Sequence, residues 1–150
     1  MQSSFLNRVL TSKAGTAALI LRVPVGLILM AHGAQKLFGW FGGNGLAGTA
    51  GWLSSIGLEP GYLMAILAGG AEFFGGLALV LGLLTRPAAL VAAFTMLVAI
   101  FSVHIGSGLF IANGGYEYAL TLMVALLALM VQGGGAISMD KVLSKNLGRA

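Results

Sequence analysis

The sequence predicts an all-α membrane protein: an up-down bundle of four transmembrane helices, with a short interfacial helix in the first extracytoplasmic loop. Four apolar segments, residues 15–38, 62–84, 87–104 and 116–132, are 17 to 24 residues long. Each is close to the ~20 residues that cross a hydrocarbon core of ~30 Å at ~1.5 Å per residue. Hydrophobic residues make up 58% of the chain and charged residues 8%, against about 25% charged in soluble domains. That balance excludes a soluble enzyme built around a large core. Glycine supplies 24 of the 150 residues, about twice the usual share. In membrane helices small residues allow close backbone approach, and packing must replace the hydrophobic drive that lipid removes. Residues 1–150 leave room for one four-helix unit and no second domain.

The elements follow in order. Arg8 and Lys13 precede the first apolar run, which could be mistaken for a signal peptide. Arg22 and Pro24 interrupt it early, however, and it continues past Leu37 with no convincing cleavage site, so it reads as a retained span. The next stretch, Gly39-Trp40-Phe41-Gly42-Gly43-Asn44-Gly45 and on to Leu58, is apolar but too short to cross. A helix near residues 47–56 is expected there, with Trp40 and Trp52 at headgroup level. The second and third spans meet in a hairpin at Thr85-Arg86-Pro87, and so short a link forces antiparallel neighbours. Small residues recur at Ala88, Ala92, Thr95, Ala99 and Ser102 on the third span. On the fourth, Glu117, Thr121, Ala125, Ala128 and Gln132 form a small and polar stripe expected to face the bundle interior. After Gly133-Gly134-Gly135, the segment Ser138-Met139-Asp140 opens a short basic tail helix within residues 136–150.

Charge sets the orientation. Arg8, Lys13, Arg86, Lys141, Lys145 and Arg149 flank one side of the four spans, and only Lys36 flanks the other. The positive-inside rule then puts both termini in the cytoplasm. The net charge is +4, but these cations sit at helix ends, where they suit anionic lipid headgroups. No basic patch interleaved with aromatics exists to hold nucleic acid. Cysteine is absent. The chain therefore performs no thiol–disulfide exchange and holds no thiolate-ligated cluster, and a redox role needs a bound cofactor or a partner.

Ionisable groups at membrane depth are expensive and need a partner or a task. On the first span Arg22, His32 and Lys36 share one face. On the second, Glu72 lies between Gly69 and Gly76 on its own face, so a neighbouring helix can come close. Counting residues from the span ends puts Arg22 and Glu72 at similar depth, and a structural ion pair between them is expected. Nearer the outer surface, His32, Lys36, Trp40, His104, Tyr116 and Glu117 form a candidate ligand-binding set: donors, a carboxylate and aromatic rings from several spans. His104 falls off the small-residue stripe of its span. A haem between His32 and His104, or a metal on His32, His104 and Glu117, is chemically conceivable but lacks any spacing signature, and no metal site is expected.

These residues resemble the DoxX family of small bacterial inner-membrane proteins, over about Leu19 to Asp140. The resemblance rests on Leu21-Arg22, the run Ala31-His32-Gly33-Ala34-Gln35-Lys36-Leu37-Phe38-Gly39 and the loop 42–48. Ala71-Glu72-Phe73-Phe74-Gly75-Gly76, Leu81-Gly82-Leu83-Leu84-Thr85-Arg86, Val103-His104 and Asn113-Gly114-Gly115-Tyr116-Glu117-Tyr118 complete it. It implies a four-helix protein of the inner membrane, often linked to redox and quinone metabolism and to oxidative stress. Its namesakes are membrane subunits associated with thiosulfate:quinone oxidoreductase. The function expected is a redox- or quinone-linked membrane subunit holding a quinone-like molecule in the outer half of the bundle. The alternatives are a non-catalytic anchor for an oxidoreductase partner and, below it, a small-solute carrier, for which no inverted repeat is visible.

Overall fold

The computed structural model describes residues 2–147. Every element among them is helical and no strand occurs. The α-helices in chain order are α1 (Gln2–Leu10), α2 (Ala17–Phe38), α3 (Gly45–Ser55), α4 (Gly61–Leu81), α5 (Thr85–Ala99), α6 (Glu117–Gln132) and α7 (Met139–Leu147). Three helices are long and apolar enough to cross a membrane: Ala17–Phe38, Gly61–Leu81 and Thr85–Ser107. The third combines α5 with a π turn at Ile100–His104 and a 3-10 turn at Ile105–Ser107. The fourth apolar helix, α6, has 16 residues, or ~24 Å.

Packing begins with α2 against α4. A Cβ added at Gly26 would lie 2.6 Å from the Gly76 carbonyl oxygen, and one at Gly33 would strike the Phe73 backbone. The two backbones touch with nothing between them, which only glycine allows. The Gly26–Gly76 and Gly33–Gly69 contacts run antiparallel and set a single register.

The second layer joins α5 to α6. The buried face of α5 is Ala89, Ala92, Ala93 and Met96, and that of α6 is Ala119, Leu122, Leu126 and Leu129. Small residues on one helix receive leucines from the other, filling a core shared with Leu29 and Leu79. This corrects the expectation for the fourth span. Its polar stripe does not face inward: Thr121 and Gln132 are exposed, because the alanine face of α5 demands bulk opposite it. The third span is likewise rotated, with Ala89 rather than Ala88 at full burial.

The α4–α5 turn also shifts. Residues 82–84 make it, and Thr85-Arg86-Pro87 forms the first turn of α5, where a proline is tolerated. Gly82 ends α4 with φ +65°, and a Cβ there would press on Arg22 Cζ at 2.8 Å. Helix α3 packs Ala50 and Leu53 against Ala65 of α4. Helix α1 rests on α7 and α5. Arg8, Lys13, Arg86, Lys141 and Lys145 therefore gather at one end of the molecule. Arg149, counted with them in the sequence, lies outside the described residues.

The glycine seam is testable. Gly33→Ala should destabilise the protein by roughly 1–3 kcal/mol, the usual consequence of overpacking. Gly70→Ala, where nothing lies within 4 Å, should be neutral or slightly stabilising. Thermal unfolding in one detergent compares them, and equal melting temperatures would remove the seam from the account.

Candidate functional site

Lys36 and Glu72 form the one ion pair among the described residues: Lys36 Nζ stands 2.6 Å from Glu72 Oε2, with the two side chains 27% and 4% exposed. The glycine seam causes it. Gly69 leaves the flank of α4 open, so the Lys36 stem lies against it and runs along the helix to Glu72. A carboxylate this buried needs a cation, and the lysine supplies it.

The expected Arg22–Glu72 pair is not formed. With Gly26 opposite Gly76, Arg22 falls opposite Val80, eight residues or ~12 Å along the helix from Glu72. Depth counted from span ends could not resolve that offset, since both helices begin and end differently from the apolar runs. Arg22, 1% exposed, caps the C-terminus of α4. Its Nη1 donates to the Leu79 and Val80 carbonyls at 2.8 and 2.5 Å, its Nε to Gly134 at 3.1 Å, and its Nη2 to Ile137.

Arg86 repeats this arrangement, donating from Nη1 to Met130 and Val131 at the end of α6. Asp140 does the reverse, accepting from the Leu84 and Thr85 amides at 2.6 and 2.9 Å where α5 begins. Cations stand on carbonyl ends and the carboxylate on an amide end, so each charge meets the helix dipole favourably. Ser138 Oγ accepts from Lys141 N at 3.2 Å and caps α7, as its position before the basic tail suggested.

At the opposite end the candidate ligand residues divide. His32 is exposed on α2, one turn before Lys36. Its ring centroid is 6.0 Å from that of Tyr118, tilted by 51°, and among the described residues neither ring nitrogen makes a hydrogen bond. His32, Lys36, Glu72 and Tyr118 thus form one neighbourhood. His104 and Glu117 serve the 105–116 connection. His104 Nδ1 lies 2.7 Å from the Gly114 carbonyl oxygen, and Glu117 Oε1 accepts from the Ile111 amide at 2.7 Å. Tyr116 is half-buried against the α5–α6 core. Trp40 is exposed and packs with Phe38 and Phe41 at 5.1 and 6.5 Å between centroids. His32, His104 and Glu117 do not converge as metal ligands, and no group of three such residues occurs among the described residues.

The structure brings Tyr118, one residue after Glu117, to His32 and sets Glu72 in the same neighbourhood through Lys36. The glycines flanking Glu72 already signalled a close helix, though not which cation that helix would bring. Asp140 gave no signal beyond its place after Ser138, because its partners are backbone amides 55 and 56 residues away.

Double-mutant cycles separate the two pairings. Lys36→Met and Glu72→Gln should be coupled by roughly 1–3 kcal/mol in unfolding free energy, whereas Arg22→Met and Glu72→Gln should add within about 0.5 kcal/mol. Strong coupling of Arg22 to Glu72 would contradict the register.

Comparison with known proteins places the chain in a family. The chain matches the DoxX family over residues 17–105. It is 32% identical over 140 residues to an uncharacterized protein of Haemophilus influenzae, covering 88% of this chain and 86% of that one. Inner membrane protein YqjF of Escherichia coli is 36% identical over 113 residues, 71% of this chain and 81% of its own. A Bacillus subtilis protein named "Putative oxidoreductase CatD" is 34% identical over 111 residues, 74% and 76% of the two chains. No solved structure matches. A profile match across more than half of the chain, with relatives above 30% identity over most of its length, establishes that this membrane protein belongs to the DoxX family.

Proposed function

We propose that the protein is a membrane subunit of a quinone-linked redox system and that the outer cluster holds the quinone headgroup. The observation that carries this reading is the His32 imidazole. It is exposed on the side of α2, its ring nitrogens without a hydrogen-bond partner among the described residues, beside a partly buried ion pair and an aromatic ring. A quinone reaches its site laterally from the bilayer, so an open flank suits it better than an enclosed cavity. Its ring can pack on Tyr118 while His32 donates to a carbonyl oxygen. Reduction to the quinol takes up two electrons and two protons. His32 and the Lys36–Glu72 pair are groups able to pass protons at that position. The electrons would come from an oxidoreductase partner, a role that the name of the Bacillus subtilis relative makes pertinent. Trp40, Tyr116, His104 and Glu117 frame the entrance through the loops that they hold.

The same reading takes α2, α4, α5–Ser107 and α6 as four spans of a single unit, in an inner membrane, with α3 lying in the outer interface. Both termini face the cytoplasm, because the cations gather at the end that carries α1 and α7. A non-catalytic anchor for an oxidoreductase remains the second reading. It is favoured by the exposed basic helix α7 and separated from the first by the behaviour of His32.

Two measurements test these proposals. A short-tailed ubiquinone analogue should bind the purified protein, and His32→Ala should weaken it about tenfold, one lost hydrogen bond's worth, with an unchanged melting temperature. Unaltered affinity would take the headgroup away from His32 and leave the anchor reading. For orientation, Ser55→Cys should react with an impermeant thiol reagent in intact cells and Ser144→Cys should not. The native chain has no cysteine to confuse the result, and labelling of Ser144→Cys from outside would reverse the topology.

A further inference from the structure

We propose that the groove between α7 and the adjoining ends of α2 and α4 binds an anionic phospholipid. This goes beyond the quinone reading and concerns the opposite end of the molecule. The groove encloses about 590 Å³ and has two chemically distinct walls. One is apolar: Leu19, Val80 and Leu81 from the spans, and Val142 from α7. The other carries Lys141 and Lys145, four residues apart and therefore on one face of α7.

The lysines are free to take an anion. Both are exposed, and neither is ion-paired among the described residues. The nearest acid in sequence, Asp140, is fully buried with both oxygens committed to the Leu84 and Thr85 amides. The Arg22 guanidinium at the floor adds positive charge but spends its hydrogen bonds on carbonyls. A phosphate is thus met by the lysines alone.

The apolar wall identifies the rest of the ligand. Leu19 lies on the first turn of α2 and Leu81 on the last turn of α4, so that wall continues into the surface the spans present to acyl chains. Val142 is 59% exposed and follows Lys141 in α7, beside the lysine row. The commitment of Asp140 to the α4–α5 turn holds α7 at the end of the spans, where an amphipathic helix can present its lysines to headgroups and its valine to acyl chains. An acidic peptide would satisfy the lysines and leave the apolar wall uncovered. A tailed anion satisfies both.

The test is native mass spectrometry of the full chain in a neutral detergent, after incubation with equal amounts of phosphatidylglycerol and phosphatidylcholine. The wild type should retain the anionic lipid about tenfold over the zwitterionic one. The paired substitution Lys141→Gln with Lys145→Gln should bring that ratio near one at unchanged melting temperature in detergent. Val142→Asn should lower retention of both lipids and keep the ratio, which distinguishes the tail wall from the headgroup wall. Glycerol 3-phosphate, which has the anion without the tail, should not stabilise the protein as the lipid does. Equal retention of the two lipids by the wild type, a wild-type ratio in the double variant, or full stabilisation by glycerol 3-phosphate would each overturn the proposal.

Discussion

Everything chemical in this protein depends on how closely α2 lies on α4. Two glycines on each helix bring the backbones into direct contact, and lipid cannot drive helices together as water does, so this contact has to be made by shape. Once Gly26 sits on Gly76, no freedom of register remains. Lys36 is delivered to Glu72 and Arg22 to the last carbonyls of α4. Sliding either helix by one turn would strand a buried carboxylate at one end and a guanidinium at the other, each a heavier loss than any packing gain could offset. Packing and electrostatics therefore select the same register.

The two ends of the molecule put charge to different uses. At the end with α1 and α7, Arg22, Arg86 and Asp140 are all consumed by helix termini. In a membrane protein a broken helix exposes carbonyls and amides that water does not reach, and a buried charge of the right sign answers several at once. Asp140 does this from a distant helix, so the tail is stitched into the α4–α5 turn. At the other end the charges are less fully committed. The Lys36–Glu72 pair retains a partly exposed lysine, and the neighbouring His32 retains its hydrogen-bonding capacity.

The loop between Ser107 and Glu117 shows the same economy in miniature. His104 and Glu117 look like ligands when read along the chain, since both are polar groups at the margin of an apolar span. Each holds a backbone group of that loop, His104 on the Gly114 carbonyl and Glu117 on the Ile111 amide. They fix the start of α6 and with it the position of Tyr118 against His32.

The sequence by itself determined the helical class, the three long spans within a few residues, the helix in the first loop, the capped tail and the family, because each rests on local composition or spacing. It also marked Glu72 as a carboxylate awaiting a close neighbour, since Gly69 and Gly76 share its face. Only the tertiary structure decided which cation arrived. Pairing Arg22 with Glu72 required the register of two helices to within a turn, and register is a property of their contact surface, absent from either strand of text alone. The rotation of α5 and α6 was hidden for a related reason: small residues mark a packing face only when the opposite helix supplies large ones. The roles of Arg22, Arg86 and Asp140 lay further from view, because backbone groups at helix ends carry no sequence signature of their own.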